Sequence, residues 1–337
     1  MAVLVTGGSG FLGGRLAQML ADRGDTVRVL ARPGNDLRHL AGPRFEIIQG
    51  SLSDIECMAR AVRGVTHIYH CAGCSTDWAP WSVYHQANVV GVQNLLRAAI
   101  TLRAATAGSG PDLQRFLHVS TTDVYGYPRT PCEESHPLVE TKLPYNRSKC
   151  MGEAAVWDAA RDHGLPVTVV RPATIYGPRG TAFATDIARL IRQGLMAVID
   201  GGRSKGGFCY VDNAAQAIIQ AATARETVGR AYNLADGTGA TWRTYVSALA
   251  DGLGERRPWI DLPSTVAFPL ARMMEAPHHL RIPGRPLLTV HAVYLLSRSQ
   301  EYPIERARRE FGLAPQVSFE EGIARTIQWL SLGTPIS

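Results

Sequence analysis

The sequence predicts an α/β fold: a doubly wound parallel sheet joined to a smaller, mostly helical C-terminal lobe. Three observations carry that prediction. Short apolar runs alternate with helix-length stretches through the first half of the chain. A glycine-rich turn, "VTGGSGFLGG", closes the first of those runs. Beyond about Gly177 the alternation fades into a proline- and arginine-rich region with weak periodicity.

In chain order, "AVLVTGG" reads as a strand and "FLGGRLAQMLADRG" as a helix. "TVRVLAR" and "RFEIIQG" read as strands, "DIECMARAVRG" as a helix and "THIYHCAG" as a strand. "VYHQANVVGVQNLLRAAITLRAA" is a long helix and "RFLHVSTT" a strand, with "TAGSGPD" (Thr106 to Asp112) as the loop between them. "YNRSKCMGEAAVWDAARDHG" is a helix, and "PVTVVRPATIYG" closes the series. Strands this apolar need both faces covered, which helices on either side of a parallel sheet supply. "FCYVDNAAQAIIQAA" and "RAYNLAD" read as a return to the sheet. The predicted division is therefore 1–177 with 208–236 for the nucleotide-binding domain, and 178–207 with 237–337 for the substrate lobe.

At 337 residues the chain suits one large domain or two modest ones. A hydrophobic fraction of 45% supports a substantial core and argues against disorder. The net charge of +6 comes from scattered arginines, which reads as a solvated basic surface rather than a nucleic-acid site. No apolar run approaches the ~18 residues of a spanning helix, so no integral membrane segment is expected. The first strand begins almost at Met1, leaving no room for a targeting segment, and the expected compartment is the cytoplasm. Cys57, Cys71, Cys74, Cys132, Cys150 and Cys209 lack a framework-like spacing. Cys71 and Cys74 have no second pair to complete a metal site, so reduced thiols and no metal are expected.

Gly7, Gly10 and Gly13 fall between the first strand and the first helix. Glycines there permit a tight turn and a close approach to a pyrophosphate, facing the free N–H groups of a helix start. This is a Rossmann-type arrangement, although T-G-x-x-G-x-x-G differs from the ordinary G-x-G-x-x-G and points to one branch of dinucleotide binders. The competing reading is a glycine turn with no ligand. At the end of the second strand an acid would favour NAD(H), yet Ala31 stands there and Arg32 follows. With Arg28 and Arg38 nearby in sequence, a guanidinium site for a 2′-phosphate predicts NADP(H) in preference to NAD(H). Against that, Arg28 and Arg38 read equally as surface residues of an arginine-rich chain.

"PYNRSK" sets Tyr145 four residues ahead of Lys149. With 11 tyrosines and only three lysines in the chain, about 0.1 such pairs arise by chance. On a helix the two share a face.

Together and in this order, "TGGSGFLG", "HCAG", "ANVVGVQNLL", "VSTTDVYG", "YNRSK", "RPATIYGP" and "FCYVDNAA" resemble the extended short-chain dehydrogenase/reductase superfamily across essentially the whole chain. Within it the sequence is most similar to the 3β-hydroxysteroid dehydrogenase group, including bacterial relatives that reduce 2-alkyl-3-ketoacids. "YHQANVVGVQN" and the C-terminal "RPLLTVHAVYLLSRSQEYPIERARREFGLAPQVSFEEGI" carry that closer likeness. A phenol titrates near ~10. A neighbouring ammonium and a positive nicotinamide ring favour the phenolate. Tyr145 is then the proton acceptor in alcohol oxidation or the donor in ketone reduction. The resemblance further implies that Lys149 bonds the nicotinamide ribose and that Thr121, three residues before Val124, orients the substrate oxygen, with Ser120 as backup. It also implies that Asn88 supports Lys149 through water, against a reading as a plain buried polar residue. The cofactor contacts it implies are Gly7, Gly10, Phe11, Leu12, Gly13, Arg32, Ser51, Leu52, Ala72, Gly73, Pro172 and Ile175, besides Tyr145 and Lys149. "GSL" at Ser51 and Leu52 departs from the family's "GDL", so an adenine contact is weaker or differently made there. A homodimer through the helices of "NVVGVQNLL" and "YNRSK" is likewise implied by the resemblance.

Around the expected pocket stand Trp78, Trp81, Tyr84, Phe183 and Phe208, with Met273 and Met274 in the late apolar segment. Such side chains suit a small apolar substrate, and they suit an ordinary core as well. Nucleotide-sugar sites need polar groups for two phosphates and a base. The usual asparagine after the sixth strand is missing, as is the Arg-Asp before "YVD", where this chain reads "GGRSKGGFCYVDN". The leading expectation is an NAD(P)-dependent oxidoreductase interconverting a secondary alcohol and a ketone on a bulky apolar substrate, a sterol or a 3-keto lipid or polyketide. A nucleotide-sugar epimerase or dehydratase is the first rival. A non-enzymatic dinucleotide-sensing regulator is the second, and retention of Tyr145 and Lys149 argues against it.

Overall fold

Residues 1–106, 112–279 and 282–332 are described by the computed structural model, so most of the expected "TAGSGPD" loop, residues 107–111, lies outside the described residues. The chain begins with β1 (Ala2–Thr6), α1 (Phe11–Asp22), β2 (Thr26–Ala31), β3 (Phe45–Gln49), α2 (Ile55–Val62) and β4 (His67–His70). The predicted long helix is present as three consecutive pieces: α3 (Trp81–His85), one π-helical turn (Gln86–Val90) and α4 (Gly91–Thr106). Then come β5 (Arg115–Val119), a 3₁₀ turn (Thr122–Tyr125), α5 (Pro144–His163), β6 (Val167–Pro172) and β7 (Thr174–Tyr176). The second half contains α6 (Asp186–Arg192), β8 (Ala197–Ile199), β9 (Phe208–Tyr210), α7 (Val211–Thr223), β10 (Arg230–Leu234) and α8 (Trp242–Gly252). It ends with β11 (Ile260–Leu262), α9 (Ser264–His279), α10 (Val290–Ser297), α11 (Glu305–Phe311) and α12 (Phe319–Ser331).

Seven strands form one parallel sheet in the order β10-β6-β5-β4-β1-β2-β3. Alternate residues of each strand feed two cores. Val3 and Val5 pack with Leu16 and Leu20 of α1 and Ile218 of α7 on one face. Leu4, Ile68, Phe116 and Val167 pack with Met58, Leu95 and Val156 of α2, α4 and α5 on the other. That two-sided burial is why the strands read as continuous apolar runs. The order reverses between β1 and β4, which opens a crevice at their C-terminal ends.

Local signals set the ends of the helices that frame this crevice. Asp54 caps α2 by accepting from the Cys57 N–H at 3.0 Å. Pro144 occupies the first turn of α5, where its missing N–H costs nothing, and Gly164 ends the helix at φ 60°.

The second lobe has its own core. Trp242, Tyr245 and Leu249 of α8 pack with Ile187, Val198 and Phe319, beside the two-stranded parallel pair β8–β11. "FCYVDNAAQAIIQAA" makes its return in two ways. The α7 half packs on α1 and leads to β10 at the sheet edge, whereas β9 pairs with β7 outside the central sheet. Among the described residues no helix is long and apolar enough to cross a membrane, and no cluster of three or more side chains suits a metal ion.

Candidate active site

At the crevice, the loop after β1 is shaped by what a side chain would hit. Gly7 has φ +74°, and a Cβ there would lie 2.8 Å from backbone atoms of Ala72. A Cβ on Gly13 would collide with the Gly7 carbonyl oxygen. No side chain caps the start of α1 at Gly10, so its first N–H groups are left for an anion. The loop is braced from both sides. Thr6 Oγ1 accepts from the Ala72 N–H at 3.2 Å and bonds His70 Nδ1 at 2.7 Å. His39 Nε2 lies 3.0 Å from the Gly8 carbonyl, and Asn35 donates to Ser9 Oγ at 2.5 Å. A bare, braced backbone at a helix start fits a dinucleotide pyrophosphate.

The remaining implied cofactor positions fall around this cradle or next to it. Phe11 and Leu12 are half-buried against the second-lobe core. Ala72 and Gly73 follow β4, Pro172 ends β6 and Ile175 sits in β7. Ser51 Oγ accepts from the N–H and the hydroxyl of Ser53, shaping the turn before α2, and Leu52 packs into the core beneath it. Arg32 lies near the loops, close enough to Cys74 for its charge to act on that thiol. Arg28 is a correction. It points to the opposite end of α2, pairing with Glu46 at 2.9 Å and donating to the carbonyls of Ala61 and Arg63 at 2.9 and 2.7 Å. Arg38 is largely solvated and paired with Asp36. Arg179, which sequence reasoning missed, lies near Asp36 and His39.

The pair expected to handle the proton stands opposite. Tyr145 and Lys149 project from α5 toward the end of β5, and Lys149 Nζ donates to the Val119 carbonyl at 2.8 Å. Burial holds the Lys149 ammonium down to about 8. Behind it the His70 and His118 rings lie 5.3 Å apart, and burial, together with the charge of Lys149, keeps both from ionising. For Tyr145, burial pushes the phenol well above its ordinary value and the Asp123 charge adds to this. A hydrogen bond with Thr121 pulls the other way. Thr121 thus meets the tyrosine while its Oγ1 also accepts from the Asp123 N–H at 3.2 Å. Ser120 Oγ is buried and has no partner among the described residues.

Asn88 ties the loop after β4 to α5. Its Nδ2 donates to the Cys74 carbonyl and to Ser148 Oγ, both at 2.9 Å, and its Oδ1 accepts from the Cys74 N–H at 2.7 Å. Both donors and the carbonyl are committed, so from its π-helical turn Asn88 pins the loop after β4 to α5.

Over the tyrosine lies a roof that the sequence did not disclose. His291, from α10, stacks on the Tyr145 ring at 5.5 Å and 28° and bonds Asp123 Oδ2 at 2.8 Å through Nε2. The same carboxylate oxygen accepts from the Tyr127 hydroxyl at 2.9 Å. Tyr84 packs at 6.3 Å on another side of Tyr145. Arg285 binds Asp77 at 2.6 Å and Asp186 at 2.9 Å, and Thr289 Oγ1 donates to Asp77 Oδ2 at 2.8 Å. This strap joins the loop after β4 to the second lobe.

Apart from Tyr84, the predicted pocket aromatics separate. Trp78 packs edge-on against His279 at 5.1 Å, beneath the strap. Trp81 is exposed, with the Arg147 guanidinium 4.9 Å above it. Phe183 is half-buried against Trp242, and its carbonyl accepts from the Tyr245 hydroxyl. Phe208 is a correction: only 2% exposed, it stacks on Tyr245 at 4.4 Å and belongs to the second-lobe core. Met273 is exposed and Met274 partly so.

Comparison with known proteins adds a family and relatives. Residues 3–235 match the model of the NAD dependent epimerase/dehydratase family. The chain is 32% identical to the 2-alkyl-3-oxoalkanoate reductase of Stenotrophomonas maltophilia, covering 96% of this chain and 98% of that protein. It is also 32% identical to the 4-hydroxy-2-methyl-3-oxo-4-farnesyl-3,4-dihydroquinoline-1-oxide ketoreductase of Stigmatella aurantiaca, over 96% and 95% of the two chains. Among solved structures, a dTDP-glucose 4,6-dehydratase from Streptomyces venezuelae with NAD and TYD bound superposes with a TM-score of 0.77 at 27% identity, over 99% and 98%.

Proposed function

The chain belongs to the NAD dependent epimerase/dehydratase family and is an NAD-dependent oxidoreductase, and from that premise we propose that it interconverts a secondary alcohol and a ketone on a bulky apolar substrate. A sterol or a 3-oxo lipid or polyketide is the substrate class, and the two relatives named above are both ketone reductases by name. The observation that carries this reading is Tyr145, beside Thr121 and sharing a helix face with Lys149, with the rings of Tyr84 and His291 packed against it.

The nicotinamide, when bound, supplies or accepts the hydride. The chain does the rest. Thr121 and Tyr145 hold the substrate oxygen between two hydroxyls. Tyr145 gives up its phenolic proton as a ketone becomes an alkoxide, or takes one as the alcohol is oxidised. Burial and Asp123 keep the phenol protonated, the form that reduction needs. Lys149, backed by histidines that stay neutral, brings a positive charge that favours phenolate for the reverse step. The glycine cradle, Thr6 and Ala72 hold the pyrophosphate end. Arg32 receives a 2′-phosphate, so NADP(H) is preferred to NAD(H). The working form is a homodimer through α4 and α5.

Following nicotinamide absorbance with bulky apolar ketones, 3-oxo acids and UDP-sugars, using each reduced cofactor in turn, tests this. Ketones should be reduced and UDP-sugars left unchanged. Tyr145→Phe should slow turnover roughly 10²–10⁴-fold with cofactor affinity intact. Arg32→Ala should raise the KM for NADPH roughly 10-fold and spare NADH. An active Tyr145→Phe enzyme would sink the mechanism.

A further inference from the structure

One nitrogen in the roof is left over. His291 Nδ1 is buried and meets no partner among the described residues, although Nε2 of the same ring is fixed to Asp123. A carboxylate only accepts, so Nε2 carries the hydrogen and Nδ1 is the open position of the ring. Asp123 is itself held from a second side by Tyr127, so the ring cannot easily turn to satisfy Nδ1 elsewhere. A buried polar atom without a partner costs about 1–3 kcal/mol, and such atoms are rare in folded proteins. Its position is telling: the imidazole lies against the ring of Tyr145, whose hydroxyl handles the proton at the reacting oxygen. The rings packed directly against the imidazole are those of Tyr145 and Tyr127, with Tyr84 on Tyr145 and Tyr294 on Tyr127 behind them.

We propose that His291 Nδ1 is a specificity contact for substrate, binding a second oxygen substituent, carboxylate or hydroxyl, carried close to the reacting carbonyl. Asp123 is the positioning residue that orients the imidazole for it. This deepens the ketone/alcohol reading above and rests on it. A hydroxyl would donate to the bare nitrogen, whereas a carboxylate would accept from the imidazolium after it has taken up a proton from solvent. A plain ketone would leave Nδ1 unpaired, and a site built to bond an oxygen discriminates against the analogue that lacks it. The sequence gives no sign of this, because Asp123 and His291 are 168 residues apart.

The test is a set of dissociation constants, measured by quenching of protein fluorescence with the cofactor-loaded enzyme. Three probes of equal chain length are compared: a 3-oxo acid, a 2-hydroxy ketone and the plain ketone. The wild type should bind at least one oxygenated probe about 10-fold more tightly than the plain ketone. Preference for the acid identifies a carboxylate, and preference for the hydroxy ketone identifies a hydroxyl. His291→Gln places an amide where Nε2 was and nothing where Nδ1 was, so it should abolish the preference. His291→Asn keeps a polar atom at the δ position and should retain most of it. Urea unfolding of both variants separates binding from folding. A wild type without preference overturns the proposal, and so does a Gln variant that keeps it while Asn loses it, since that pattern means His291 serves only to hold Asp123. Cofactor turnover with ketones is a separate readout, and its absence counts against the ketone reading itself.

Discussion

Tyr145, Lys149 and Thr121 come from two adjoining elements, α5 and the end of β5, where Lys149 and Thr121 are buried and Tyr145 is half-buried. Arg285, Thr289 and His291 reach the same cleft from the far end of the chain and are fixed by three carboxylates, Asp77, Asp123 and Asp186. The floor is held by the same apolar packing that makes the sheet, so it exists whenever the sheet does. The roof is held by polar contacts, of which the Arg285 pairs are partly solvated, and contacts of that kind are weak and adjustable. The proposed chemistry is thus placed on the rigid half, and the proposed cover of the substrate on the softer one.

The sharpest way to break this comparison is to remove the floor's only ammonium. Lys149 titrates at about 8, against an ordinary 10.5. Between those values the unfolded chain binds more protons than the folded one, so stability rises with pH across that window. Below it the buried ammonium imposes its full cost. Lys149→Met should therefore be inactive yet more stable than wild type at pH 7 by about 3 kcal/mol. Urea unfolding at pH 7 and at pH 10 measures it, and parallel profiles for the two proteins would show that Glu153 or another neighbour already compensates the charge.

Next in size is the cradle. Gly13→Ala forces a methyl group onto the Gly7 carbonyl, an overpacking expected to cost about 2 kcal/mol, together with a large loss of cofactor affinity. Thermal unfolding and a cofactor titration read the two effects, and a variant with native affinity would mean that the loop yields more readily than its bracing suggests.

The smallest effect belongs to the strap. Arg285→Ala should raise the ketone KM about 3-fold, shift the melting temperature little, and reproduce in low salt what the wild type shows in high salt. If the variant instead unfolds early, the roof is as structural as the floor and the contrast drawn here fails.

The sequence disclosed the floor and concealed the roof for one physical reason. β1, the glycine turn and α1 are consecutive, and Tyr145 and Lys149 lie four residues apart on one helix, so their relation is written in spacing. The strap residues meet partners roughly 100 to 200 positions away, and no local pattern records that. Arg28 shows a subtler limit: four residues along a strand is about 13 Å, so proximity to Arg32 in sequence placed it at the wrong end of β2. Phe208 was misassigned because an aromatic apolar segment looks alike in a core and in a pocket. Three-residue strands such as β7 and β9 carry too few side chains to show which sheet they join. The π-helical turn is equally silent, since the apolar pattern runs through it unbroken.

The place of the strap in the chain also sets an order in time. Synthesis proceeds from the N-terminus, and domains tend to fold as they emerge. The glycine cradle and Tyr145 leave the ribosome while His291 has yet to be translated, and β10 then completes the sheet before any strap residue exists. A growing chain can gather its sheet and glycine cradle first, whereas the strap that closes over Tyr145 is assembled last.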